Sequence, residues 1–149
     1  MAGIKTKTNP KIVTKNIEGK PNGFLIPVFN RHENFTEKDQ WPWQVYCTVA
    51  TPGEIKGPHL HKKRWGLFTC IKGNIKIVTR VNNEYQEYFS GEDHGFATIQ
   101  VPADVPSALV NIGNNDAYIL NMPSPAWTPE EPDDWPVSFS DYDFGQNKK

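Results

Sequence analysis

The chain has 149 residues and a formal net charge of -1. This length suits a single domain with its own hydrophobic core, and the near-neutral charge excludes a strongly basic protein that binds nucleic acid or anionic membranes through a general field. No apolar run approaches the roughly 20 residues of a transmembrane helix, and the first residues lack the apolar segment of a signal peptide, so we expect a cytoplasmic protein.

The composition favours strands over helices. The 13 prolines and 11 glycines suit many turns, and the 5 tryptophans, 5 tyrosines and 8 phenylalanines are typical of strands. Short strand-like runs alternate with turn signals about every ten residues, which predicts an all-β sandwich or barrel. Cys47 and Cys70 both lie in apolar runs and are interpreted as buried, reduced thiols.

Residues 1–23 are rich in lysine and contain one acid, Glu18. This segment is either a basic arm or a solvated leading segment in which Ile12 and Val13 form an edge strand. It ends at a Pro-Asn-Gly turn signal. The barrel itself is predicted over residues 24–122.

Two strands are predicted at the start of the barrel, over residues 24–29 and 41–50. The second run is aromatic and β-branched, and from residue 43 onward it alternates with a period of two. The face that carries Tyr46 mixes polar groups with a phenol, which suits the lining of a wet pocket. The members of that face are Gln44, Tyr46 and Thr48.

The most informative stretch of the chain contains two histidines one residue apart. Residues i and i+2 of a strand point to the same face, so His59 and His61 would project together. Lys56 and Arg64 lie close by in the sequence and add positive charge.

Apolar and alternating runs continue the barrel after the histidines. Residues 67–71 and 75–78 are predicted to form a hairpin about a turn that contains Gly73. Further strands are predicted at residues 84–89, 96–101, 107–111 and 117–122. Residues 123–149 are proline-rich and acidic, and we expect an irregular tail packed on the barrel.

The glycine and histidine spacing resembles the first sequence motif of the cupins, with Gly53, the His59-Leu60-His61 run and Gly73 at matching places. The second cupin motif is matched by Pro102 and Asn111. The resemblance implies a double-stranded β-helix, or jelly-roll barrel.

Metal-binding cupins use two histidines and a glutamate from the first motif and one histidine from the second. Here the glutamate place holds Trp65 or Gly66, and the place of the second-motif histidine holds Ser107. Two imidazoles alone make a poor transition-metal site, so we expect neither a metal nor another cofactor. A metal-dependent cupin, with a ligand from His94 or an acid, is the less favoured alternative.

The run from Lys56 to Lys63 resembles the 3,4-ketoisomerases of dTDP-4-keto-6-deoxyglucose, a group with a functional tyrosine at the place of Tyr46. The segment around Arg31 resembles the dTDP-4-dehydrorhamnose 3,5-epimerases, in which an arginine there holds the substrate diphosphate. The resemblance implies a homodimer and a nucleotide-linked 4-keto-6-deoxysugar substrate, used in surface polysaccharide biosynthesis. Lys56, Arg31 and Arg64 would bind the substrate, and Trp127 would stack on its base.

Such a reaction begins when a base removes the hydrogen on the carbon next to the keto group. Histidine titrates near neutrality, and His59 is our first choice for this base. His61 or Tyr46 would return the proton, which gives epimerisation or ketoisomerisation according to where it lands. A non-catalytic cupin that binds sugars or nucleotide sugars is the alternative.

Overall fold

The computed structural model describes residues 3–145, which form an all-β protein. Two short 3-10 turns lie at Arg31–Glu33 and Lys38–Gln40. The strands, in chain order, are β1 Lys5–Lys7, β2 Ile12–Lys15, β3 Pro21–Leu25, β4 Tyr46–Ala50, β5 Ile55–Leu60, β6 Gly66–Lys72, β7 Asn74–Val81, β8 Glu84–Gly91, β9 Thr98–Val101, β10 Ser107–Asn111, β11 Ala117–Asn121 and β12 Trp135–Pro136.

Two five-stranded antiparallel sheets make up the barrel. The strand order is β1-β9-β6-β11-β4 in the first and β12-β5-β10-β7-β8 in the second. The core is built from side chains of both sheets, including Cys70, Ile99 and Ile119 of the first and Ile75 and Ile77 of the second. This architecture confirms the predicted all-β jelly roll.

The chain crosses from the first sheet to the second at Gly73. Strand β6 pairs with β9 and β11, whereas β7 pairs with β8 and β10. The predicted hairpin between residues 67–71 and 75–78 is therefore wrong. Gly73 has φ of +81°, and a Cβ there would lie 3.1 Å from the Cα of Ala117, so a side chain would be strained as well as crowded. The tight turn connects strands of facing sheets.

A true hairpin joins β7 to β8 at Asn82 and Asn83. Both asparagines have positive φ, 54° and 62°, the conformation that two-residue hairpin turns require. Asparagine tolerates this region better than most residues, so the Asn-Asn pair suits this turn.

The N-terminal segment is part of the sheet structure. β1 pairs with β9, and β2 and β3 form a separate two-stranded sheet. The Pro-Asn-Gly signal lies within β3 rather than in a turn, and the expected boundary after residue 23 falls inside that strand. β3 ends at Leu25 rather than at residue 29.

The outer face of β4 is open to solvent. Val45 is 60% exposed and Val49 is 41% exposed. Cys47 lies on the same face and is exposed, so the prediction of two buried thiols is wrong for Cys47 and confirmed for Cys70. β4 also begins at Tyr46 rather than at residue 41.

The acidic segment after β11 packs along the second sheet. Its strand β12 pairs with β5. Phe139 is 4% exposed and packs against Val78 and Ala108. These two residues alternate with the core residues Ile77 and Leu109, so the segment covers the face of the sheet that points away from the main core.

No helix within residues 3–145 has the length and apolar character needed to cross a bilayer.

Candidate active site

One cavity, of about 190 Å³, opens between the two sheets. Its apolar lining includes Phe68, Ile77 and Ile119. Its polar lining comes from β4, β5, β10, β11 and the acidic segment, and consists of Tyr46, Thr48, Lys56, His59, His61, Arg64, Ser107, Asn121 and Asp134, with Trp127 beside them.

The structure brings six of the seven predicted site residues to this cavity, namely Tyr46, Lys56, His59, His61, Arg64 and Trp127. Arg31 lies elsewhere. Its guanidinium is 5.6 Å from the centre of the Trp41 ring, and it lines a separate surface cleft. The chain itself therefore does not bring Arg31 to the cavity, and its role in substrate binding stays a prediction.

Strand β5 places the two histidines side by side. His59 lies on β5 and His61 follows its last residue, and their ring centres are 6.2 Å apart. The period of two that predicted a shared face is confirmed. Gly57 has φ of +95°, and a Cβ there would lie 3.1 Å from the carbonyl oxygen of Ser107 on β10. A glycine at this position lets β5 approach β10 closely beside the cavity.

The tautomer of His61 is set by the acidic segment. Its Nδ1 atom is 2.8 Å from the backbone carbonyl oxygen of Asp133 and 3.1 Å from Oδ1 of Asp134. Both oxygens can only accept, whereas Nη2 of Arg64, 3.1 Å from the same atom, can only donate. The two acceptors include the shortest contact and outnumber the one donor, so we assign the proton to Nδ1. In the neutral ring, Nε2 is then the atom that can take a proton.

The charge of His61 depends on its surroundings. Burial is the largest influence and lowers the pKa of His61 below its ordinary value. The Asp133 carbonyl and the Asp134 carboxylate oppose this change in pKa, while Arg64 and His59 add to it. The net result favours a neutral imidazole at pH 7, the form that acts as a base.

Arg64 is almost completely buried, at 6% exposure. Its Nη2 atom donates to Oδ1 of Asp134 at 3.0 Å, and its Nη1 atom donates to the carbonyl oxygen of Pro132. The same Nη2 lies 3.1 Å from Nδ1 of His61. The guanidinium thus binds the acidic segment, and its charge is largely compensated before any substrate enters.

Asp133 attaches the acidic segment to the loop after β5. Its carboxylate accepts the backbone N–H groups of Lys62, Lys63 and Arg64 at 3.1, 2.9 and 3.0 Å. Burial acts against ionisation, but these N–H groups outweigh it and hold the pKa of Asp133 below its ordinary value. The carboxylate therefore fixes the segment that orients His61.

Tyr46 faces the cavity from β4. Its hydroxyl oxygen accepts a hydrogen bond of 2.7 Å from Nδ2 of Asn121. Burial raises the pKa of Tyr46, Arg64 acts against this, and Asp134 adds to it. The phenol is therefore protonated at neutral pH and can serve as an acid.

Trp127 is held beside the cavity through its backbone. Its N–H donates to Oε1 of Gln44 at 2.8 Å, on the face of the chain that alternation had assigned to the pocket.

Three further residues, Asp133, Asp134 and Asn121, were not predicted as site residues. Asn121 lies within a predicted strand and the aspartates lie in an acidic run, so no local pattern distinguishes them from ordinary surface or strand residues.

The residues present do not fit a transition-metal centre. Among residues 3–145 no group of three or more His, Cys, Asp or Glu side chains is placed to hold a metal ion. Ser107 lies opposite His59 in the β5–β10 pair, at the place where metal-binding cupins supply a histidine. Nδ1 of His61 already faces the Asp133 carbonyl, and the adjacent Arg64 cation disfavours a second positive charge.

The chain is similar to proteins that are named for polysaccharide and glycan biosynthesis. Residues 32–135 match the model of the polysaccharide biosynthesis C-terminal domain family. The chain is 24% identical over 133 residues to the spore coat polysaccharide biosynthesis protein SpsL of Bacillus subtilis, covering 84% of this chain and 85% of SpsL. It is 25% identical over 126 residues to the probable low-salt glycan biosynthesis epimerase Agl13 of Haloferax volcanii, covering 79% of each chain.

Solved structures show the same fold. The capsular polysaccharide assembling protein CapF of Staphylococcus aureus superposes with a TM-score of 0.59 and 25% identity, over 64% of this chain and 26% of CapF. The matched part of this chain therefore spans about a quarter of CapF. The sugar 3,4-ketoisomerase QdtA of Thermoanaerobacterium thermosaccharolyticum, solved with TDP, superposes with a TM-score of 0.64 and 15% identity, over 85% of this chain and 84% of QdtA.

At 15% identity, the similarity to QdtA shows only that the two proteins share a fold. This fold agrees with the predicted cupin barrel. The family model covers most of the barrel and extends through Trp135 of β12, so it includes the cavity and the segment that orients His61. The chain belongs to the polysaccharide biosynthesis C-terminal domain family and has the cupin fold.

Proposed function

We propose that the protein is a metal-independent isomerase or epimerase of a nucleotide-linked 4-keto-6-deoxysugar, with dTDP as the expected nucleotide. The observation that carries this proposal is the fixed tautomer of His61, whose Nδ1 proton is held by the Asp133 carbonyl while the ring lines a cavity shared with His59 and Tyr46. A neutral imidazole beside a protonated phenol is a base and acid pair suited to moving a proton on a carbon skeleton.

The comparisons support the same reaction class. Agl13 is named as a probable epimerase of glycan biosynthesis, and QdtA is named as a sugar 3,4-ketoisomerase and was solved with TDP. SpsL and CapF are named for spore coat and capsular polysaccharide, which favours a role in surface polysaccharide biosynthesis.

The contacts of the two histidines favour His61, rather than His59, as the base. The described residues provide fixed partners for Nδ1 of His61, so Nε2 is its acceptor before substrate binds. No hydrogen bond to the His59 ring occurs within residues 3–145, so nothing in that range selects its tautomer. We therefore reverse the assignment made from the sequence and give His59 the role of the second proton-transfer group.

In the proposed reaction, Nε2 of His61 removes the hydrogen on the carbon next to the keto group. The electron pair left on that carbon moves to the carbonyl oxygen and forms an enolate, which Tyr46 stabilises by donating its proton or a hydrogen bond. Return of a proton to the opposite face of the same carbon gives an epimer. If the enolate oxygen is protonated instead, loss of the proton from the carbon-3 hydroxyl and transfer of a proton to the former carbonyl carbon give the 3-keto isomer.

Lys56 is the cation we propose for the diphosphate. It lines the cavity, and within residues 3–145 it forms no salt bridge. Arg64 is instead paired with Asp134, so we propose that it does not bind the phosphates. Its positive charge would act on the pKa of His61 and would stabilise the enolate. Trp127 lies at the cavity and is available to stack on the base of the nucleotide.

The experiment that tests the function is proton NMR of the protein with dTDP-4-keto-6-deoxyglucose in deuterated water. We expect the carbon-3 proton signal to be lost, with deuterium at carbon 3 of an epimer or at carbon 4 of a 3-keto isomer, so the product spectrum separates the two. His61→Asn should abolish exchange and His59→Asn should slow it, while His32→Asn, an exposed histidine outside the cavity, should leave it unchanged.

Two outcomes would contradict the proposal. Normal exchange in His61→Asn would remove His61 as the base. Saturable binding of the nucleotide sugar without exchange at any pH would favour the non-catalytic, sugar-binding cupin instead.

We also propose a homodimer that uses the β2–β3 hairpin. This two-stranded sheet exposes Val13 at 56%, Phe24 at 49% and Leu25 at 48%, and an isolated hairpin is only marginally stable in water. A second copy that covers this apolar surface would stabilise it. Light scattering after size-exclusion chromatography should give the dimer mass, and Val13→Asp should shift the protein towards the monomer.

We propose the cytoplasm as its location. Cys47 and Cys70 are both free thiols, a state that reducing compartments maintain. Fractionation of cells that express the full chain should recover the protein with cytosolic markers, and recovery with envelope fractions would contradict this.

A further inference from the structure

Asn121 is a buried polar residue next to Tyr46, the acid of the proposed reaction. It is the last residue of β11 and lies directly opposite Tyr46 in the β4–β11 pair. It is 8% exposed, and it lines the same cavity as Tyr46. Two side chains that face each other across an antiparallel pair are held at a fixed separation by the backbone ladder.

In the structure Asn121 is the donor and Tyr46 the acceptor of the hydrogen bond between these residues, while the amide oxygen Oδ1 of Asn121 is buried with no partner within residues 3–145. Nδ2 of Asn121 can only donate, and it lies 2.7 Å from the hydroxyl oxygen of Tyr46. The Tyr46 oxygen is therefore the acceptor, and its single proton is directed away from Asn121. Since Tyr46 lines the cavity, that proton is available to a bound substrate.

We propose that Asn121 is a positioning residue that directs the Tyr46 hydroxyl proton into the cavity and stabilises the phenolate left after its transfer. The inference rests on the proposed function, because it gives Tyr46 the acid role in that reaction. A donor beside the oxygen favours the ionised form more than the neutral form, so Asn121 counteracts the burial that makes Tyr46 hard to deprotonate. The charged groups that also act on Tyr46 are Arg64 and Asp134.

The test replaces the donor by an acceptor of the same shape. In Asn121→Asp the carboxylate can only accept, so the Tyr46 hydroxyl would turn to donate to residue 121 and withdraw its proton from the cavity. We expect kcat to fall roughly 10-fold, the effect of losing one oriented hydrogen bond, with little change in KM. Asn121→Leu removes the donor without adding a charge and should also lower kcat.

A double-mutant cycle separates positioning from general damage to the fold. Once Tyr46→Phe has removed the hydroxyl, Asn121→Asp should cause no further loss of kcat. A further loss equal to that seen in the wild-type background would show a merely structural role and overturn the inference. Wild-type activity in Asn121→Asp would also overturn it, because it would mean that Tyr46 donates to residue 121 in the native protein.

The pKa of Tyr46 can be measured without turnover, so the role of Asn121 can be tested separately from the proposed reaction. The pKa of Tyr46, followed by NMR of ring-labelled tyrosine and assigned with Tyr46→Phe, should rise in both Asn121→Asp and Asn121→Leu. If the pKa rises but no sugar nucleotide undergoes exchange, Asn121 positions Tyr46 and the proposed reaction fails. If exchange occurs in the wild type and neither pKa nor kcat responds to the variants, the positioning role fails and the reaction stands.

Discussion

The Nδ1 atom of His61 lies 2.8 Å from the backbone carbonyl oxygen of Asp133, a residue 72 positions later in the chain. This contact fixes the imidazole as the tautomer whose Nε2 can accept a proton. The adjacent Asp134 carboxylate holds Arg64 against the same ring. An acidic stretch that resembles a solvated surface in the sequence therefore determines the chemistry available at the histidine.

The pH dependence of the reaction should report on this arrangement. His61 acts as a base only when neutral, and its pKa lies below the ordinary histidine value of about 6.5, so kcat/KM should hold through pH 6.5 and fall as the pH drops through the lower, folded-state pKa. Asp134→Asn removes a carboxylate that raises the pKa of His61, so the acidic limb of the profile should move to still lower pH.

The matched control for Asp134→Asn is Glu131→Gln, which neutralises an exposed acid of the same segment. It should leave the profile in place. An acidic limb that moves to higher pH in Asp134→Asn would contradict the geometry.

The lowered pKa of His61 also predicts that this residue contributes less stability below pH 6.5, because protonation is then easier in the unfolded chain than in the folded one.

Asp133→Ala should detach the acidic segment from the loop after β5. The variant loses the acceptor of three backbone N–H groups, and we expect the free energy of unfolding to fall by about 1 to 2 kcal/mol, the range for losing a side-chain cap. Urea denaturation measures this change. Asp133→Asn, which keeps one acceptor and tolerates the φ of +52° at this position, should lose less, and Glu130→Ala should lose almost nothing.

Phe139→Ala should destabilise the protein although Phe139 lies outside the barrel strands. Its ring is 4% exposed, packs against Val78 and Ala108, and meets Tyr85 edge to face with ring centres 5.1 Å apart. Removal of a buried phenylalanine costs about 3 kcal/mol, which thermal and urea denaturation would detect. Phe29→Ala, at a ring that is 38% exposed, is the matched control. Equal losses in the two variants would mean that the segment does not pack on the sheet in solution.

The two cysteines should differ in reactivity. Cys47 is exposed on the outer face of β4, whereas Cys70 is buried and burial raises its pKa to about 11. A thiol reagent applied to the native protein should therefore modify one thiol quickly and the second only after denaturation. Mass spectrometry of the modified peptides should place the first label on Cys47, and a first label on Cys70 would contradict the structure.

Local periodicity was enough to predict the parts of the site that lie on single strands. Tyr46 and Thr48 on β4, and His59 with His61 at the end of β5, face the cavity because residues two apart on a strand share a face. The resemblance to cupins added the barrel that makes these faces converge.

Partner choice between strands could not be predicted in the same way. The runs that became β6 and β7 are both apolar and joined by a glycine turn, a pattern typical of a hairpin, yet they belong to different sheets. The separation depends on β9, β10 and β11, which follow much later and pair with them. The roles of Asp133 and Asp134 are equally non-local, because their contacts with His61 and Arg64 join residues about seventy positions apart.

That long separation has a consequence for how the protein acquires activity. Contacts between residues far apart in the chain form late, because closing a long loop costs entropy before the contact returns any stability. Strands β4 to β11 can pair and bury the core without residues 132–136, but His61 has no fixed tautomer until the segment with β12 docks on β5. During refolding, the barrel should therefore regain its secondary structure before it regains a competent base.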